Sequence, residues 1–214
     1  MYAWHLKKVQ IKHMPILYSA FLIIVFVLWN YLKQIPDTAS EEQLKSAFLL
    51  AQATGIFLLI GCQILDLSVF FERGARAITA SYQKRIFLWD VFSFVFFLLV
   101  VSLVVIRFCI INEQCANGWC VMILQLVFMR MLIFTLSCTR LSILGAVAVG
   151  LALTVVSWYQ STFLGDEKGL LVCSSLPKNV SLVWYQIWGV LCLVLLVGNL
   201  IKLYPKELIF MSMS

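Results

Sequence analysis

Charge is scarce in this sequence. Asp, Glu, Lys and Arg together make up 12% of it while 63% is hydrophobic, against roughly 25% and 45–50% in an average soluble domain. A water-soluble fold could not hide so much apolar surface. The mean hydropathy of +0.98 therefore places the excess against lipid, or between helices within lipid. Histidine is scarcer still: His5 and His13 both precede the first long apolar run, which excludes a bis-imidazole haem inside a membrane. The seven cysteines include no Cys-x-x-Cys pair, so dithiol redox catalysis has no support. Gly-rich phosphate loops, Gly-x-Ser-x-Gly and His-Glu-x-x-His are missing as well. The expectation is a non-enzymatic chain that needs no cofactor or metal and does not bind nucleic acid.

What is abundant is long apolar runs. Six of them, 15–32, 47–71, 86–111, 119–138, 141–159 and 182–203, are each 18 to 26 residues long, enough to cross about 30 Å of hydrocarbon as helices. The fold class expected is all-α, a polytopic transmembrane helix bundle of about six spans forming a single domain over 1–214. The first run ends in Lys33 without a small-residue cleavage site and reads as an anchor. With alternating crossings, Lys7, Lys8, Lys12, Arg73, Arg76, Lys84, Arg85, Arg140, Lys202 and Lys206 share one side. Only Lys33, Lys45, Lys168 and Lys178 lie opposite. This bias puts both termini on the cytoplasmic-equivalent side. Trp29, Tyr31, Trp119, Trp158, Tyr159, Trp184 and Tyr185 then fall at outer span ends and Trp89 and Tyr204 at inner ends, as an interfacial belt requires. The repeated Trp-Tyr-Gln at 158–160 and 184–186 fits that belt, or an internal duplication.

Charges inside the spans carry the most information, because a central Arg or Asp costs about 2.5 to 3.5 kcal/mol on insertion scales. Arg130 is about eleven residues, hence about 16 Å, into the fourth run. It needs a partner, and Asp66 and Asp90, in the inner halves of the second and third runs, are the carboxylates available. Such a network either moves or conducts charge, or it is a static bridge holding helices in register. Ser142, Ala146, Gly150 and Thr154 recur every four residues, a small-residue ridge for close helix packing; Ala47, Ala51 and Gly55 form a shorter one. Cys62, Cys138 and Cys192 inside spans act as small apolar fillers. Cys115, Cys120 and Cys173 fall on the expected outer face, where an oxidising compartment could join two of them. Asn179-Val180-Ser181 is a glycosylation sequon on that face, or else the first turn of the sixth helix.

The stretch Ile64-Leu65-Asp66-Leu67-Ser68-Val69-Phe70-Phe71-Glu72-Arg73-Gly74, followed by Tyr82-Gln83-Lys84-Arg85-Ile86-Phe87-Leu88-Trp89-Asp90, resembles the second-to-third segment region of voltage sensors in cyclic-nucleotide-binding and ether-à-go-go type cation channels. The shared positions are Leu65, Asp66, Phe71, Gly74, Tyr82, Lys84, Phe87 and Asp90. The resemblance covers about thirty residues. It implies six spans with cytoplasmic termini, and acidic residues of the second and third segments facing arginine of the fourth. The chain departs from that pattern in having Arg130 and then Arg140 instead of a basic residue at every third position. It also lacks a Thr-x-Gly-x-Gly filter between the fifth and sixth runs. Together these features imply a channel-like or channel-regulating membrane protein of the plasma membrane or secretory pathway. The alternative is a structural or assembly subunit of a large membrane complex, with lipid and other membrane subunits as partners.

Overall fold

A computed structural model describes residues 15–36, 39–71, 83–111, 115, 117–138, 142–163 and 182–203. Among the described residues there are six helices: α1 (Pro15–Lys33), α2 (Glu41–Phe71), α3 (Gln83–Ile111), α4 (Gly118–Ser137), α5 (Ile143–Phe163) and α6 (Leu182–Leu203). Among the described residues there is no strand. Five of these helices, α2 to α6, are long and apolar enough to cross a membrane, and α1 contributes a shorter apolar stretch, Tyr18–Lys33. The molecule is thus a bundle of apolar helices of the kind that resides in a bilayer, where a helix satisfies its own backbone.

Among the described residues, proline stays out of the helix interiors: Pro15 opens α1, where its missing N–H is harmless, and Pro36 follows the end of α1. The second helix begins at Glu41, six residues before its apolar run. Ser40 Oγ accepts from the Gln43 N–H at 3.3 Å while Gln43 Oε1 accepts from the Ser40 N–H at 3.1 Å. This reciprocal capping box is reinforced by Glu41 and Glu42 in the first turn, where negative charge meets the positive end of the helix dipole.

α2 and α4 form the centre. α4 packs against α2, α3, α5 and α6, and α2 against α1, α3, α4 and α5. The most apolar stretch of α2 is 56% buried while that of α6 is 17% buried, so α6 stands at the periphery with α4 as its chief neighbour. Ring contacts join the layers: Phe21 with Phe97 between α1 and α3, Phe87 with Phe134 between α3 and α4, and Phe128 edge-on to Trp188 at 4.7 Å between α4 and α6.

Two glycines decide how closely the centre packs. A Cβ on Gly55 of α2 would stand 3.1 Å from Met122 Cε, and one on Gly150 of α5 would stand 3.0 Å from Met129 Cε. Met122 and Met129 are seven residues apart, hence on nearly one line of α4, so α4 presses a methionine stripe into gaps that glycine leaves on two neighbours. Ala47, Ala51, Ala146 and Thr154 are buried on the same small-residue ridges. The ridges of α2 and α5 therefore pack within the chain. Ser142, expected on the α5 ridge, is exposed; its Oγ accepts from the Gly145 N–H at 3.2 Å and caps the helix.

Candidate functional site

The buried polar residues of α2 fall on one face. Gln63 and Asp66 are 11 and 14 positions after Gln52, within about 20° and 40° of the same line at 3.6 residues per turn. All three are buried. Asp66 meets Ser93 of α3, Gln52 meets Gln125 of α4 and Gln63 meets Arg130 of α4; these partners, with Asp90 and Phe94 of α3, are buried as well.

Arg130 is the hub. Its side chain is 1% exposed, and Nη2 lies 2.5 Å from Asp90 Oδ1 and 3.9 Å from Asp66 Oδ2. The same nitrogen donates to the Asp90 main-chain carbonyl at 2.8 Å, so Arg130 grips the backbone of α3 as well as its carboxylate. The guanidinium carbon stands 5.5 Å from the centre of the Phe94 ring, a cation–π contact that offsets part of the cost of removing the charge from water. From the same face of α2, Gln63 Nε2 donates to the Arg130 carbonyl at 2.9 Å. Ser93 Oγ donates to Asp66 Oδ2, linking α3 to α2. Further along, Gln125 Nε2 donates to Gln52 Oε1 at 2.7 Å, a second polar tie between α2 and α4. Order along the helices is consistent: from Gln52–Gln125 to Gln63–Arg130, α2 and α4 advance together, whereas Asp90–Arg130 and Phe87–Phe134 make α3 antiparallel to α4.

Such an arrangement ties three helices in one register. Each contact is strong because the alternative, an unsatisfied polar group in an apolar medium, is expensive. Comparison with protein-family models, with curated proteins and with solved structures finds no match. The chemistry of the cluster is therefore read from its own geometry.

The structure brings Asp66, Asp90 and Arg130 together, and places Ala146, Gly150 and Thr154 on an internal packing face. Cys115 and Cys120 carry free thiols. Cys115 is fully buried, and burial pushes its thiol up to about 11, which holds it protonated and slow to form a disulfide. Cys173 and Asn179 lie outside the described residues. Gln52, Gln63, Ser93 and Gln125 also belong to the cluster, beyond the residues expected from the sequence. The signal available was a neutral amide inside an otherwise apolar run, recurring on one face of α2. A peripheral polar contact was also missed: Thr135 Oγ1 donates to Asn199 Oδ1 at 3.1 Å, fixing α6 on α4.

Proposed function

We propose that the chain is a non-enzymatic, channel-like or channel-regulating membrane protein, with six spans and both ends on the cytoplasmic-equivalent side of the plasma membrane or a secretory-pathway membrane. One observation carries the reading: the fourth helix sets a buried arginine against one carboxylate from the second helix and one from the third. That is the arrangement which the voltage-sensor resemblance implies. A single arginine limits what it can do. Moving one charge through the whole field yields about 2.3 kcal/mol per 100 mV, too little for steep gating but enough to bias a partner, so regulation is favoured over self-contained voltage gating.

A second reading, a bracing subunit of a larger complex, draws on α6. It turns Leu182, Val183, Ile187, Val190, Leu193 and Val194 outward, an apolar face that fits another membrane helix as well as lipid.

Voltage-clamp recording of membranes that contain the chain or its Arg130→Gln variant, combined with identification of chains that co-purify in mild detergent, tests the first reading. A current, or a co-purified channel whose voltage response shifts on loss of Arg130, is expected. Electrical silence with no channel among the co-purifying chains contradicts it, and a non-channel complex favours the second reading. Labelling of Ser40→Cys and Ala80→Cys from opposite sides is the expected topology result.

A further inference from the structure

Three polar atoms at the junction of α2 and α4 keep unused bonding capacity deep inside the bundle. Arg130 and Gln63 are 1% and 0% exposed, yet Arg130 Nε and Nη1 and Gln63 Oε1 have no hydrogen-bond partner among the described residues. The rest of each head group is engaged: Arg130 Nη2 with the carboxylate and main-chain carbonyl of Asp90, and Gln63 Nε2 with the Arg130 carbonyl. That last bond holds the Gln63 amide against the Arg130 main chain, so its free oxygen sits within one arginine side chain's length of the free donors. Polar groups left unbonded in an apolar medium are expensive. The unused set is mixed, two donors and one acceptor, and the mixture selects the ligand. An anion satisfies the donors but is repelled by the amide oxygen, whereas a cation satisfies the oxygen and is repelled by the guanidinium. Water does both, and an internal water typically makes about three hydrogen bonds. The choice follows from donors and acceptors alone, whatever the charge state of Asp66 and Asp90.

We propose that Arg130 and Gln63 form an internal water site, in which water within the bundle bridges Gln63 Oε1 to Arg130 Nε and Nη1. Gln63 is then a positioning residue that holds Arg130 twice, by its amide nitrogen on the main chain and by its amide oxygen, through water, on the guanidinium. Hydration also decides between two roles for the cluster. A dry arginine is a fixed strut, because letting go of Asp90 strips it of a partner that hydrocarbon cannot replace. An arginine with water at hand exchanges one partner for another at small cost, since a water-mediated hydrogen bond is enthalpically nearly as good as a direct one. Its Nη2, 2.5 Å from Asp90 and 3.9 Å from Asp66, is within reach of both carboxylates. The water site thus deepens the reading above, in which Arg130 biases a partner, and rests on that reading of the chain as spanning a membrane.

Solid-state nuclear magnetic resonance of the full chain in lipid bilayers, with nitrogen-15 arginine and magnetisation started on water protons, tests the proposal. With Arg73→Lys, Arg76→Lys, Arg85→Lys, Arg107→Lys and Arg140→Lys the charge is kept and Arg130 is the one arginine left. Transfer from water to Arg130 Nε is expected to be several-fold faster than transfer to the main-chain amide of the same residue, which is hydrogen-bonded within α4. Equally slow transfer to both overturns the proposal. Gln63→Leu in the same background is expected to abolish the advantage of Nε, and a folded variant that keeps it overturns the proposal as well. Should the lysine-substituted chain not fold, X-ray radiolysis of the unaltered chain decides. Hydroxyl radicals formed from the bound water should oxidise Phe94, whose ring stands over Arg130, well ahead of Phe97, which is also buried on α3; equal protection of the two rings overturns the proposal. A hydrated Arg130 in an electrically silent protein leaves the water site standing and removes only the channel reading.

Discussion

The two sides of α4 are held by different physics. Toward α2 and α3 it presents Gln125 and Arg130, and contact is made by a few directional bonds to Gln52, Asp66 and Asp90. Toward the gap between α2 and α5 it presents Met122 and Met129, and contact is made by shape, with glycine opposite each methionine. In lipid the apolar side gains nothing from leaving water, so its stability comes from dispersion and close approach. That side tolerates sliding of a flexible methionine, whereas the polar side does not, since a slip of one residue would bury a charge without its partner. Specificity of register therefore resides in the charged side, and tightness of packing in the other.

The largest effect should come from the charged side. Arg130→Leu leaves two buried carboxylates without their cation and should cost about 3–5 kcal/mol of stability, read as a lower unfolding midpoint in detergent. Changing Asp66 and Asp90 to Leu as well should recover much of that loss, because the whole charge set is then gone. The apolar side comes next. Gly150→Leu forces bulk against Met129 and Ile133 and should cost about 1–3 kcal/mol, whereas Val149→Leu, on an exposed position one residue away, should stay within about 0.5 kcal/mol. Equal melting temperatures for the two would erase the distinction between shape and charge. A neutral polar tie should rank below both: the Gln52 and Gln125 leucine cycle should give a coupling of about 0.6 kcal/mol, the usual size for hydrogen bonds between membrane helices. The smallest effect concerns the α3–α4 connection, with no change in stability. Cys120 should react with a maleimide at neutral pH. Cys115, buried and raised to about 11, should react only as the pH rises toward that value, which peptide mass spectrometry can follow.

Arg130 was legible because a charge in an apolar run has few affordable solutions, and helix rise alone put Asp66 and Asp90 at a reachable depth. The amides were not. A glutamine in a transmembrane helix costs far less than an arginine, and whether Gln52 meets Gln125 depends on the crossing of two helices, which no single run encodes. The start of α2 precedes its apolar run because hydropathy finds where apolar residues begin, while the helix begins where Ser40 and Gln43 cap it. Ser142 illustrates the converse. Four-residue spacing continues the ridge back by one turn, but at the capping position just before a helix a serine hydroxyl satisfies an unpaired N–H instead of packing. Thr135 and Asn199 bond across helices 64 positions apart in sequence, and no local pattern pairs them.

The central claim is that Arg130 and Asp90 act as one unit that fixes α3 on α4. A double-mutant cycle of Arg130→Leu and Asp90→Leu, measured by unfolding in bilayer-like detergent mixtures, tests it most directly. The account predicts a coupling well above about 1 kcal/mol, with a smaller coupling for Arg130 and Asp66, in keeping with 2.5 Å against 3.9 Å. Additivity of the Arg130 and Asp90 changes within about 0.5 kcal/mol, the behaviour of independent sites, would contradict it.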